Sequence, residues 1–267
     1  MKIPFAKAHG ARNDFVLTWA HLAPTADLLG RVAEGICDRN AGVGADGWLL
    51  VYPPLDGKPP RIRLFNPDGG EVEISGNGTR CAAAFLSDAG LVGEAITIET
   101  GAGPKQLRLL SREGLRFQFE MEMGVPRVEA PRLTLALRDG AREATTLDVG
   151  NPQCAFFVDD FAFDWKALGA EVEVHPHFPR RTNVSFVRVL DRHTLDVRFF
   201  ERGAGFTMSS GTGSTGAVAA AMARGLVESP VTVRTLAGPL EFRQTEQGLV
   251  MSGPAEIVAT GDYYFAE

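Results

Sequence analysis

The sequence predicts a mixed α/β (α+β) protein built from two copies of one folding unit, and three observations carry that prediction. Residues 61–84 align with residues 196–219 at a constant offset of 135 and without a gap. Within the match Arg63 falls on Arg198, Phe65 on Phe200, Gly70 on Gly205, Ser75 on Ser210, Gly76 on Gly211, Gly78 on Gly213, Ala82 on Ala217 and Ala84 on Ala219. Second, each matched segment reads as strand, turn, short strand and then a helix opened by a small polar residue and glycines. Third, short alternating apolar segments bounded by Gly, Pro, Asn and Asp surround both copies, the pattern of half-buried strands. Two related units place a small-molecule site most naturally in a cleft between them.

Bulk properties narrow the function classes. A chain of 267 residues can build one large core or two ordinary ones. Hydrophobic content of 45% and charged content of 22% are those of a soluble globular protein. A net charge of −6 argues against a nucleic-acid partner, which needs a basic face. The three cysteines, Cys37, Cys81 and Cys154, are scattered without CxxC spacing. They fit neither a disulfide framework nor a zinc site, and point to the reducing cytoplasm. No signal-peptide core follows Met1, and no apolar run approaches the ~20 residues that span a bilayer, so no membrane role is expected.

In chain order, residues 4–7 and 15–19 read as strands around a turn at 9–14. Thr25 is placed to cap a helix whose apolar stripe is Leu28, Leu29, Val32, Ala33 and Ile36. The glycine-rich loop 38–47 follows a helix rather than a strand and matches neither P-loop nor dinucleotide spacing, so it reads as a turn. Strands are predicted at 48–52, 61–65 and 71–74, then a helix from Ser75 to about Gly90, then strands at 95–100, 106–110 and 115–121. Gly124-Val125-Pro126 is the candidate boundary, with no apolar periodicity resuming before Leu133. The second half offers strands at 133–137, 146–149 and 155–158, and a helical segment at 165–168. Strands at 184–189 and 195–200 precede a second glycine-opened helix running to about Leu226, and strands at 231–235, 240–243, 249–251 and 257–263 complete the chain. His175 and His177 sit among prolines and read as loop residues, with no metal expected.

The chemistry-bearing features are the two helix starts, Ser75-Gly76-Asn77-Gly78 and Ser210-Gly211-Thr212-Gly213. Unpaired backbone N–H groups and the positive end of the dipole favour an anion there. Asn66 falls opposite Glu201 in the repeat, both directly after the repeated Phe, and Asn13 and Asn151 each lie at a turn. Taken alone, each asparagine is equally readable as a turn former, and the Glu201-Arg202 pair as a solvated turn.

At these residues the chain closely resembles the diaminopimelate epimerase family, within the superfamily of proline racemase and the phenazine-biosynthesis isomerases. The likeness spans nearly the full length and rests on Asn13-Asp14-Phe15, Asp38-Arg39, residues 42–47, residues 66–71, residues 76–80, Gly150-Asn151-Pro152, Arg181-Thr182-Asn183, Glu201-Arg202-Gly203 and Gly211-Thr212-Gly213. The resemblance implies two pseudo-symmetric domains, each a β-barrel-like sheet around a central helix, with the active site in the cleft between them. The expected division is residues 1–124, to which 260–267 return, and residues 125–259. The resemblance further implies a cofactor-free isomerase that interconverts LL- and meso-diaminopimelate on the route to lysine and peptidoglycan, acting as a cytoplasmic homodimer. By position, Asn66, Asn183, Glu201 and Arg202 match the family's contacts to the distal amino-acid group, a carboxylate for ammonium and a guanidinium fork for carboxylate. Gly76, Asn77, Gly211 and Thr212 match the helix-start groups on the reacting carboxylate, with Asn13 and Asn151 beside them.

One departure bears on the chemistry. Where the family carries two cysteines that exchange the α-proton on opposite faces, this chain has Ser75 and Ser210. Cys81 lies six residues further along the helix and does not restore the pair, and Gln153 stands where the family often has histidine. A thiol titrates near ~8.5 and falls toward neutrality at a helix N-terminus, whereas an alcohol is far less acidic, and the motif offers no histidine as its base. Three readings follow: an epimerase whose serines are either engineered or a natural variant with altered proton transfer, a related isomerase or lyase on another amino acid, and an amino-acid-binding protein without turnover.

Overall fold

Parallel strands need a crossover of a dozen or more residues, and four helical segments supply four of them. The computed structural model describes residues 1–266. By internal contacts it divides into unit 1, Met1–Met121 with Gly253–Glu267, and unit 2, Glu122–Ser252.

Unit 1 contains β1 (Lys2–Gly10), β2 (Asn13–Trp19), β3 (Gly47–Tyr52), β4 (Arg61–Phe65), β5 (Glu71–Val72), β6 (Ala95–Thr100), β7 (Gly103–Glu113) and β8 (Arg116–Gly124). Helix α1 (Leu29–Cys37) crosses from β2 to its parallel partner β3, and α2 (Gly76–Asp88) crosses from β4 to its parallel partner β6. Antiparallel pairing joins β1 to β2, β3 to β4, β6 to β7 and β7 to β8. The final strand β17 (Gly248–Tyr264) pairs with β1 and with β8, closing eight strands into a barrel. Helix α2 packs against β1, β2, β3, β4 and β6 inside it. Its residues Gly76 to Ala84 are buried on every side, which is why its sequence shows no strong polar face.

Unit 2 repeats the plan with β9 (Arg127–Leu137), β10 (Gly140–Asp148), β11 (Pro152–Phe157), β12 (Asn183–Asp191), β13 (Thr194–Glu201), β14 (Gly205–Thr207), β15 (Val231–Thr235) and β16 (Gly238–Thr245). Here α3 (Trp165–Glu173) links the parallel pair β11 and β12, and α4 (Gly211–Ala223) links the parallel pair β13 and β15. Helix α4 packs against β9 to β13, β15 and β16. Its small side chains let the sheet come close: a Cβ on Gly213 would lie 2.7 Å from the Phe199 ring and 2.9 Å from Ser210 Oγ. The outer helices seal separate apolar layers. α1 covers Val16, Trp48 and Leu50, and α3 covers Phe156, Val184 and Phe186.

Several sequence expectations change. Thr25 heads a short 3-10 turn without a side-chain cap bond, and the α-helix itself begins at Leu29. The strand expected at 71–74 stops at Val72, because the chain must turn extended at Ser75 to enter α2. Strand β9 begins at Arg127, well before the apolar alternation at Leu133. The two strands expected near 249–251 and 257–263 are one continuous strand, β17, through Gly253-Pro254.

Candidate functional site in each unit

In unit 1 the candidate site is the start of α2. Ser75 takes an extended conformation (φ −129°, ψ 125°) and its Oγ accepts from the Gly78 N–H at 3.1 Å, an N-cap bond. The next residue that matters is Asn77, which is fully buried. Its Nδ2 donates to Asn13 Oδ1 at 3.0 Å, and its Oδ1 accepts from Arg80 Nη2 at 2.6 Å. Asn13 Nδ2 in turn donates to Asp46 Oδ2 at 2.7 Å. A directed chain therefore runs from the buried Arg80 guanidinium through two amides to a carboxylate, and it fixes which end of each amide is nitrogen.

Charges at both ends of this chain are built in. Burial pulls the Arg80 guanidinium down to about 10, which leaves it cationic at neutral pH. Its Nε also donates to the Pro254 carbonyl at 3.2 Å. Arg39 bonds Asp14 at 2.8 Å and Asp46 at 2.6 Å, and Lys7 bonds Asp14 at 3.1 Å. Burial alone would raise the Asp14 carboxyl, but Arg39 and Lys7 hold it below its usual range. Burial and the nearby Asp14 push Asp46 above it. The glycine-rich loop is tied down by these residues and by Asp38, whose Oδ1 accepts from the amides of Asn40 and Ala41 at 2.7 Å each. Asn66 follows β4 and closes the turn with its backbone: its N–H donates to Gly70 O at 2.8 Å and its carbonyl accepts from Gly69.

In unit 2 the start of α4 repeats the cap. Ser210 (φ −139°, ψ 123°) is buried and its Oγ accepts from the Gly213 N–H at 3.0 Å. Among the described residues it has a carboxylate partner where Ser75 has none: the Ser210 hydroxyl donates to Glu201 Oε1. The β13–β14 hairpin, in which Glu201 pairs with Gly205, returns the chain so that residues nine apart meet. Asn183 Oδ1 accepts from the Arg202 N–H at 3.0 Å, and Asn183 Nδ2 donates to the Pro152 carbonyl at 2.9 Å. The Arg202 guanidinium donates to Arg180 O at 3.2 Å. Gln153, buried against Gly216, donates to Asn151 Oδ1 at 2.6 Å. Gly211 and Thr212 form the first buried residues of α4.

Three partners of these residues were not foreseen from the sequence: Arg80 and Asp46 lay inside the motifs without a role, and the bond from Ser210 to Glu201 was not read. The signal was present in the repeat, where Asn66 and Glu201 each precede their helix-opening serine by nine residues. The cysteines stand apart from this chemistry. All three are buried and free; burial pushes the Cys37 and Cys81 thiols up to about 12 and raises Cys154 as well. His175 is engaged by the Ala136 carbonyl at 3.1 Å and by the His177 N–H at 3.2 Å, as a loop residue. Among the described residues, no group of three His, Cys, Asp or Glu is arranged to hold a metal ion, and no helix is long and apolar enough to cross a membrane.

Comparison with known proteins adds ancestry to this geometry. A family model described as diaminopimelate epimerase matches residues 5–128 and 145–258. A diaminopimelate epimerase of Moorella thermoacetica is 39% identical over 275 residues, covering 97% of this chain and 98% of that protein. One from Pelotomaculum thermopropionicum is 40% identical over 276 residues, with the same coverage. Among solved structures, a hydroxyproline epimerase from Agrobacterium vitis matches with a TM-score of 0.77 at 16% identity, covering 98% of this chain and 92% of that one. A Bacillus anthracis phenazine biosynthesis protein of the PhzF family matches at 0.72 and 16%, covering 99% and 100%. At such identities these two share the fold.

Proposed function

Because the chain belongs to the diaminopimelate epimerase family, we propose that it interconverts LL- and meso-diaminopimelate without a cofactor, by moving a proton at the α-carbon. The observation that carries this reading is the pair of serine-capped helix starts, alike in backbone and cap bond, in two units of one topology. The α-carboxylate is held at the starts of α2 and α4, where N–H groups of Gly76, Asn77, Gly211 and Thr212 stabilise the charge that develops as the proton leaves. Ser75 and Ser210 serve opposite faces of that carbon, with Asn13 and Asn151 beside them. Asn66, Asn183, Glu201 and Arg202 hold the distal amino-acid group. The buried thiols suit a reducing compartment, and we place the activity in the cytoplasm, in a homodimer.

Arg202 offers the most direct test of the substrate. Its guanidinium is the one cation assigned to the distal carboxylate, and a charge-assisted bidentate pair of this kind contributes about 1.5–3 kcal/mol. Titration calorimetry with diaminopimelate is expected to show Arg202→Ala binding about 10- to 100-fold more weakly than the unsubstituted chain. Equal affinity would contradict the assignment of the distal site.

A further inference from the structure

Unit 2 holds a cavity of about 250 Å³ away from its serine cap. The apolar wall is Phe156 and Phe157 of β11, Phe186 of β12 and Leu168 of α3. The polar rim is Arg142 and Glu143 of β10, with Arg224, the residue at the C-terminal cap of α4. We infer that this cavity is a second ligand site, which binds a small carboxylate with a flat apolar body, the carboxylate accepting from Arg224. It lies at the opposite end of α4 from Ser210, and the 13 residues of that helix put about 20 Å between them.

Three observations carry this. The first is an unmet donor. The Arg224 side chain is 11% exposed, and its Nη2 donates to Glu143 Oε1. Its Nε–H is buried and finds no acceptor among the described residues. Buried donors are nearly always paired, so one left over points to an acceptor from outside the chain. Glu143 does not supply it, because both of its oxygens are also engaged by Arg132 Nη1, at 3.0 and 3.2 Å. Nε–H and Nη2–H together form the edge of a guanidinium that pairs with a carboxylate. The second observation is charge. Arg142 pairs with Asp139, while Arg132 and Arg224 share Glu143. Three guanidiniums therefore answer two carboxylates, and the cluster accepts one more negative charge. The third is shape. The Arg224 guanidinium lies over the Phe157 ring, 4.7 Å from its centroid, and the rest of the wall is aromatic and aliphatic. An apolar cavity of about 150 Å³ takes a benzene ring, so the volume here admits a ring with a carboxylate attached. A bare inorganic anion would satisfy Arg224 and leave that wall unfilled.

The test titrates phenylacetate into the isotope-labelled chain and follows the backbone amides by NMR, with benzyl alcohol as the ring without a charge and acetate as the charge without a ring. Phenylacetate should shift the amides of residues 156–158, 168 and 224, with half-saturation below about 10 mM. Each control should bind there at least about tenfold more weakly, since one lacks the partner for Arg224 and the other the body that fills the wall. Arg224→Lys keeps the positive charge and removes the Nε–H fork, and should weaken phenylacetate by at least about tenfold. Val158→Phe fills the cavity that Val158 borders, without touching a charge, and should weaken it as much. Shifts confined to residues 76–78 and 211–213 would mean that the probe uses only the helix starts, and would overturn the second site. Equal binding of benzyl alcohol or of acetate at residues 156–158 would overturn it too, as would unchanged affinity in both variants. The three titrations of the unsubstituted chain decide the matter even where a variant does not fold, and none of them depends on the activity proposed above.

Discussion

Changing both Ser75 and Ser210 to cysteine is expected to speed the stereoinversion of diaminopimelate by at least about 100-fold. Both positions are N-caps with the same extended backbone, and each side-chain oxygen accepts an N–H three residues on. A sulfur placed there meets the positive end of a helix, which favours the thiolate. Two such groups give one thiolate to remove the proton and one thiol to deliver it. The chain's own thiols cannot substitute, since Cys37, Cys81 and Cys154 are buried and each is pushed away from ionisation. Inversion and exchange rates measured side by side for the two proteins check this. An inversion rate that does not rise would mean that the serines do not stand where the proton is moved.

Arg80→Ala is expected to destabilise the protein by about 3–5 kcal/mol, through loss of a large buried side chain and its hydrogen bonds. Arg80 is fully buried in α2, and its guanidinium donates to Asn77 Oδ1, the Pro254 carbonyl and the Gly76 carbonyl. Truncation takes that donor from three acceptors and opens a cavity beneath the helix start. It also releases the Asn77 amide that orients Asn13, so ligand affinity should fall in the variant that still folds at low temperature. Urea unfolding measures the first effect and calorimetry the second. A stability loss below about 1 kcal/mol would show that the buried guanidinium is not holding this helix start.

How much of this was legible in the sequence depended on whether the deciding contacts were local. Strands at 61–65, 95–100 and 231–235 were readable to the residue, because clean alternation ended at turn-forming neighbours. β17 was not, since Gly253-Pro254 reads as a break. A proline lacks an N–H, yet its carbonyl still works here as the acceptor for Arg80, and the strand continues past it. The early part of β9 was missed because residues 127–132 are mostly half-buried or exposed and carry no apolar rhythm. In the site, the serine caps followed from local spacing alone. The Ser210–Glu201 bond did not, because it depends on the β13–β14 hairpin folding back. The Arg80–Asn77–Asn13–Asp46 chain was hidden for the same reason, its last two links spanning 64 and 33 residues.

The central claim is that this serine-capped chain moves the α-proton of diaminopimelate, and the most direct measurement incubates LL- and meso-diaminopimelate separately with the unsubstituted protein in D2O and follows the α-proton signal by NMR. Both isomers are expected to bind, and the α-proton to be replaced by deuterium. Unchanged α-proton signals, with both isomers bound, would contradict it.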